Sequence, residues 1–112
     1  MNIVESKHGN VTVLQVQGKL DSMSSPEMDK RMTGLIESGI RQIAVNLADI
    51  AYVSSAGLRV FLSAAKRLKQ SQGKLALANP SAQVQQIFDI AGFAAILPIF
   101  KTLNEAVNAC AL

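Results

Sequence analysis

Two adjacent serines followed by a glycine are the residues of this sequence with the clearest chemical potential. Ser54, Ser55 and Gly57 stand where a loop leads into a predicted helix. From the residues alone, the simplest interpretation is structural: one serine caps the helix by accepting a backbone N–H bond, and Gly57 allows close packing of the first turn. A hydroxyl at such a turn is also a candidate nucleophile, phosphate ligand or phosphorylation site.

Catalysis by either serine would need partners that the sequence does not offer. A nucleophilic serine requires a base, usually histidine, and a group that orients the base. The only histidine, His8, lies in a predicted hairpin turn, and there is no Gly-x-Ser-x-Gly motif. The glycines and the lysine of a phosphate-binding P-loop are also missing. We therefore expect no catalytic residue and no enzyme activity.

The carboxylates and the single cysteine suggest no metal or redox site. Asp49 follows a central strand, as in receiver domains, but no acidic pair precedes it near the end of the first strand. Asp21, Asp49 and Asp89 are far apart in sequence. Cys110 has no second cysteine with which to form a disulfide or a metal site. The sequence predicts neither a metal nor a cofactor.

Phosphorylation is the chemistry that makes the fewest demands on the rest of the chain. A serine at an exposed helix start is accessible to a kinase, and the helix dipole favours an anion there by about 0.3–1 kcal/mol. Phosphate would add about −1.5 to −2 charges. An interface built around that turn would then meet repulsion and a desolvation penalty, while the fold survives.

Strands and helices alternate along the chain after an initial hairpin. Apolar residues at periods of two and of 3.6 predict the order β-β-α-β-α-β-α-(β)-α, which implies a mixed sheet with parallel crossovers. We expect helices mainly on one face of a four- to five-stranded sheet. The expected strands cover residues 2–7, 11–16, 41–47 and 74–78, with 96–100 as a short edge strand. The expected loops include 18–22 and 48–55.

Local signals place the ends of the helices. Ser24 and Glu27 have the spacing of a capping box ahead of the first helix. Ser81 and Thr102 are expected to cap the third and fourth helices. The second strand is expected to have one face partly in water. The cluster of Lys66, Arg67 and Lys69 is expected to be a solvated helix face, and the thiol of Cys110 to lie incidentally in a flexible C-terminal turn.

Composition indicates one soluble domain over residues 1–112. The 112 residues are 49% hydrophobic with a net charge of +3, which suits a packed core rather than disorder. There is no Trp and only one Tyr, so base stacking has few candidates and we expect no direct binding of nucleic acid. No apolar run approaches the roughly 20 residues that span a bilayer. We expect a cytoplasmic protein without a signal peptide or membrane insertion.

Three segments in order resemble the STAS domain, the anti-sigma-factor antagonist family. The segment Gly18-Lys19-Leu20-Asp21 is similar to the family's Gly-x-Leu-Asp loop. The segment Tyr52-Val53-Ser54-Ser55-Ala56-Gly57-Leu58 resembles its Asp-Ser-Ser/Thr-Gly-Leu switch motif. The stretch from Phe88-Asp89-Ile90-Ala91-Gly92-Phe93 to Glu105-Ala106 resembles its C-terminal pattern. The resemblance covers nearly the whole chain and implies a single STAS-like domain.

The resemblance implies a partner-switching role. In this family an anti-sigma factor, which is a serine kinase with a histidine-kinase-like ATPase fold, phosphorylates the antagonist. The unphosphorylated antagonist binds that kinase and frees the sigma factor, and a metal-dependent serine phosphatase resets the switch. By position the phosphoacceptor is Ser55, with Ser54 as second choice. The implied partner-binding residues are Asp21, Ser54, Ser55, Ala56, Gly57, Leu58 and Arg59.

The motif departs from the family pattern at two positions, which leaves a second interpretation open. Ser54 occupies the place of the motif aspartate, and Ala56 that of the second hydroxyl. Some STAS domains are structural subunits of membrane lipid-transport ATPase complexes and need no phosphorylation. The loss of the aspartate favours that alternative.

Overall fold

The computed structural model describes residues 1–92 and 96–111. Phe93, the last residue of the Phe88–Phe93 pattern, lies outside the described residues. Strands and helices alternate after the hairpin, in the order predicted. The elements are β1 (Asn2–His8), β2 (Val11–Leu20), α1 (Ser25–Glu37), β3 (Gln42–Val53), α2 (Ser55–Gln70), β4 (Lys74–Ala78), α3 (Ala82–Ala91), β5 (Ile99–Phe100) and α4 (Leu103–Cys110).

The five strands form one mixed sheet in the order β1-β2-β3-β4-β5. Strand β1 runs antiparallel to β2, whereas the other neighbouring pairs are parallel. This confirms the predicted hairpin and crossovers. The edge strand β5 is shorter than predicted, because its pairing with β4 is restricted to Ile99 and Phe100. Pro98 immediately precedes it and accepts a hydrogen bond from the N–H of Leu77 at 2.9 Å.

Strands β2 and β3 are both longer than the sequence predicts. They stay paired as far as Leu20 opposite Val53, so most of the expected loops 18–22 and 48–55 is strand. Two register shifts in this pairing insert extra residues into β3. Such irregularities break the alternation of side chains between the two faces. The buried residues Leu47, Ile50 and Val53 are therefore spaced by three, which a search for period two cannot recognise.

Two apolar clusters cover opposite faces of the sheet. Helices α1, α2 and α3 pack on one face, around Leu14, Val45 and Phe61. Helix α4 packs on the other face with Ala106 and Cys110. The expected arrangement of helices mainly on one face is confirmed. The expectation that one face of β2 is partly in water is wrong at its start, where α4 covers that face and Val11 and Val13 are buried.

Two side chains are more firmly held than the sequence suggests. The Cys110 thiol is buried at the end of α4, 3.5 Å from the carbonyl oxygen of Ile43, so it is not incidental to a flexible turn. Burial raises the pKa of Cys110. Arg67 is half-buried and donates to Thr33 Oγ1 at 2.8 Å, which ties α2 to α1. Of the predicted solvated cluster, Lys66 and Lys69 are exposed and Arg67 is not.

Candidate functional site

The candidate site lies where the parallel strands β2 and β3 end side by side. The N–H of Ser54 donates to the carbonyl oxygen of Leu20 at 2.8 Å. This bond fastens the start of α2 to the end of β2. The loop that begins at Asp21 and the first turn of α2 therefore leave the sheet next to each other. The structure thus brings together the two halves of the predicted site, which are Asp21 and residues 54–59.

The adjacent serines have different roles at the start of α2. Ser54 is the N-cap residue in an extended conformation, and its Oγ accepts a bond from the N–H of Gly57 at 3.3 Å. Ser55 is the first residue of the helix and is exposed, and its hydroxyl forms no hydrogen bond with any residue in 1–92 or 96–111. The expectation that one serine caps the helix is confirmed, and the capping serine is Ser54.

Removing each hydroxyl should separate the structural serine from its neighbour. Ser54→Ala is expected to lower the free energy of unfolding by about 1 kcal/mol, because the N–H of Gly57 loses its acceptor. Ser55→Ala should change it by less than about 0.5 kcal/mol, as at other exposed positions. Urea denaturation of both variants measures the difference. Equal losses would contradict the assignment of the cap to Ser54.

The loop before α1 is organised by Asp21. Its Oδ1 accepts bonds from the N–H groups of Met23 and Ser24, both at 3.0 Å. The Ser24 hydroxyl donates to the carbonyl oxygen of Lys19 at 2.7 Å and accepts from the N–H of Asp21 at 3.0 Å. The predicted capping box is therefore wrong: Ser24 makes no side-chain cap to the helix, because its hydroxyl closes the turn with Asp21 instead.

Because of these hydrogen bonds, we expect the stability of the fold to depend on pH in the acidic range. The N–H of Ser24 donates to the carboxylate, and this bond is the largest cause that lowers the pKa of Asp21 below its ordinary value. A carboxyl group whose pKa is lower in the folded state than in the unfolded state stabilises the fold at any pH above its unfolded-state pKa. This stabilisation is lost as the pH falls through its folded-state pKa. We expect thermal denaturation between pH 5 and 2, roughly the titration range of carboxyl groups, to show a steeper acid loss for wild type than for Asp21→Asn. Parallel slopes would contradict this role.

Close contact between the two halves of the site depends on a glycine. Gly57 is buried, and a Cβ at this position would lie 2.8 Å from Cγ of Leu20 and 3.0 Å from its carbonyl oxygen. Leu20 is fully buried. Leu58 is also buried and Ala56 half-buried, so these two predicted site residues form the support of the helix start rather than its free surface.

The solvent-facing residues of the site include two that the sequence does not mark as site residues. Met23, in the loop after Asp21, is 88% exposed, and Tyr52, near the end of β3, is 43% exposed. Arg59 is exposed one turn after Ser55. We call Met23, Tyr52, Ser55 and Arg59 the switch surface. The only sequence signal for Met23 is its apolar side chain two positions after Asp21.

The described part of the chain gives no sign of a metal site or a membrane span. No group of three or more His, Cys, Asp or Glu residues in 1–92 and 96–111 is arranged to hold a metal ion. Within the same residues, no helix combines the length and apolar character needed to cross a bilayer. The side chains that the switch surface exposes are the Ser55 hydroxyl, the Arg59 guanidinium, the Met23 thioether and the Tyr52 phenol.

Two known proteins are similar in sequence to this chain over most of their length. The sequence is 31% identical to BtrV of Bordetella bronchiseptica over 97% of this chain and 94% of that protein. It is 30% identical to the anti-sigma-B factor antagonist of Staphylococcus epidermidis, over 82% and 85% of the two chains.

Solved structures share the fold. The crystal structure of tm1081 from Thermotoga maritima superposes with a TM-score of 0.91 at 21% identity, covering 96% of this chain and 93% of that one. The anti-sigma factor antagonist SpoIIAA in its unphosphorylated form gives 0.82 at 21% identity, covering 96% and 95%. The STAS domain family model matches residues 2–106. The chain therefore belongs to the STAS domain family.

Proposed function

We propose that this chain is a non-enzymatic, cytoplasmic partner-switching regulator that is phosphorylated on Ser55. In its unphosphorylated state it binds an anti-sigma factor, a serine kinase with a histidine-kinase-like ATPase fold, and so makes a sigma factor available. Phosphorylation by that kinase releases the chain, and a metal-dependent serine phosphatase restores it.

The proposal rests on the observation that the two serines have different structural roles. The Ser54 hydroxyl already holds the N–H of Gly57, whereas the Ser55 hydroxyl is exposed and unused among the described residues. The Ser54 hydroxyl is already engaged in the helix cap, and phosphorylating Ser55 leaves that cap unchanged. Ser55 can therefore carry a reversible modification without a change of fold.

The charges around Ser55 suit a phosphate in the free chain. The first turn of α2 contains no acidic residue, and helix N-termini attract anions. The neutral Ser54, at the position of the family's aspartate, provides the cap without adding a negative charge. A phosphate at Ser55 is therefore stabilised by the helix start, while a partner packed against the same turn would have to bury it.

The composition of the switch surface suits a protein partner. Met23 and Tyr52 offer exposed apolar contacts, and Arg59 offers a charge-assisted donor at the rim. Methionine, tyrosine and arginine are enriched in protein interfaces relative to other surfaces. Among the relatives, the Staphylococcus epidermidis protein is named as an anti-sigma-B factor antagonist, and SpoIIAA has been solved in unphosphorylated and phosphorylated forms.

Labelling by a kinase tests the proposal. The anti-sigma-factor kinase from the same genome is incubated with the chain and radiolabelled ATP, and the modified residue is mapped by mass spectrometry. Ser54→Asp is the matched control, because aspartate can cap the helix but has no hydroxyl. We expect label on wild type and Ser54→Asp and none on Ser55→Ala. Normal labelling of Ser55→Ala would overturn the assignment.

A second candidate function is a structural subunit of a membrane lipid-transport ATPase complex. Ser54 in place of the motif aspartate favours it, because a scaffold has no need of the acidic group beside the acceptor. Affinity purification from the native cell distinguishes the two functions. Stable association with a transport ATPase, unchanged in Ser55→Asp, would support the scaffold and contradict the switch.

A further inference from the structure

Among the described residues Arg59 has no carboxylate partner, and it lies one turn from the proposed acceptor. The only ion pair among residues 1–92 and 96–111 joins Arg31 to Glu5, and no described residue accepts a hydrogen bond from Arg59. Its side chain is exposed on α2. Its five N–H donors are therefore available to a new anion.

The helix geometry directs this side chain toward Ser55. Residues four apart on an α-helix lie on the same face with Cβ atoms about 5–6 Å apart. Every Cα–Cβ bond tilts toward the helix N-terminus, so the side chain of Arg59 starts in the direction of the first turn, and its length allows the guanidinium to reach that turn. The tetrahedral phosphate of a modified Ser55 would extend into the space that this guanidinium can reach.

We propose that Arg59 is the intramolecular ligand of the phosphate on Ser55, binding it through charge-assisted hydrogen bonds from the guanidinium. The inference rests on the proposed function, because it concerns the phosphorylated state of that site. Arginine forms bidentate bonds with phosphate more readily than lysine does. Phosphorylation would then change the switch surface twice: it adds an anion at Ser55 and withdraws the cation of Arg59 from the partner.

Other charged groups near the start of α2 also contribute to the electrostatic environment of the phosphate. Asp21, from the loop after β2, carries a carboxylate whose pKa is lowered by the N–H of Ser24, so it is ionised at neutral pH. Lys19 lies opposite Tyr52 in the pairing of β2 with β3. These groups remain the same in all variants of Arg59, and a comparison among those variants isolates the guanidinium.

Phosphorus NMR on a homogeneous phosphoprotein tests the inference without any kinase. Phosphoserine is incorporated at position 55 during translation, and the ³¹P shift is followed from pH 4 to 8, about two pH units either side of the second pKa. A nearby cation favours the dianion, so Arg59→Gln should raise the second pKa of the phosphate by about 0.5, a roughly threefold increase in proton affinity. Arg59→Lys should restore part of the difference.

Lys66→Gln is the matched control, because Lys66 is an exposed cation on the same helix. It lies eleven residues from Ser55, about 16 Å along the axis, beyond the screening length of about 8 Å at physiological salt. We expect this variant to change the phosphate pKa by less than about 0.1. Equal effects of Arg59→Gln and Lys66→Gln would overturn the inference. Absence of kinase labelling at Ser55 would instead overturn the proposed function and leave this measurement valid.

Discussion

Ser55→Asp is expected to weaken binding to the cognate anti-sigma-factor kinase by at least about 100-fold, equivalent to about 2.8 kcal/mol. The substitution places a carboxylate on an exposed residue of the switch surface. In the free chain the helix start tolerates this charge, but in a complex it must be desolvated against a surface selected for a hydroxyl. Titration calorimetry with the purified kinase measures the loss, and Ser55→Ala should bind within about threefold of wild type.

A matched control distinguishes a local charge effect from a general one. Ser6 is also exposed, but it lies in β1 opposite Val13, near the start of β2 rather than its end. Ser6→Asp adds the same charge at the other end of the strand and should leave binding within about threefold, because separate surface charges are largely screened. If Ser55→Asp binds as tightly as Ser6→Asp, the switch surface is not the docking site.

The order of elements could be predicted from the sequence, whereas the full length of the two central strands could not. Alternation of apolar residues from Ile43 to Leu47 marks the regular half of β3. Beyond it the register shifts against β2 place Ile50 and Val53 in the core at a spacing of three. Only pairing with a neighbouring strand makes that segment extended, and a single sequence contains no direct record of such pairing.

The position of the candidate site could be predicted more completely than the structural role of each of its residues. The switch motif located the start of α2, but both serines fit an N-cap by residue type. The distinction depends on backbone geometry: Ser54 is extended with ψ of 174°, whereas Ser55 is already helical. By residue type the Ser24 hydroxyl could likewise either cap α1 or bond within the preceding turn. In the structure it bonds to Asp21 in the turn and does not cap the helix. Exposure of Met23 depends on the path of the loop and was not predictable from its type.

Gly57→Ala is expected to lower the free energy of unfolding by about 2 kcal/mol, in the range seen for overpacked cores. The new methyl group would come within 3.0 Å of both the Leu20 side chain and its carbonyl oxygen. Leu20 is fully buried, and its carbonyl oxygen is held by the N–H of Ser54. Relief therefore requires the start of α2 to move from the end of β2, which would stretch the bond between Ser54 N–H and the Leu20 carbonyl.

The same shift should affect binding as well as stability, because it separates Ser55 from the loop that contains Asp21 and Met23. Gly34→Ala is the matched control: Gly34 is helical in α1, and a Cβ there meets nothing within 4 Å. It should raise the free energy of unfolding by about 0.5–1 kcal/mol through helix propensity alone. Chemical denaturation of both variants should give opposite signs, and calorimetry below the melting temperature should show weaker kinase binding for Gly57→Ala only. A Gly57→Ala chain that is as stable as wild type would show that β2 and α2 can separate freely, and that the sheet does not fix the position of Ser55.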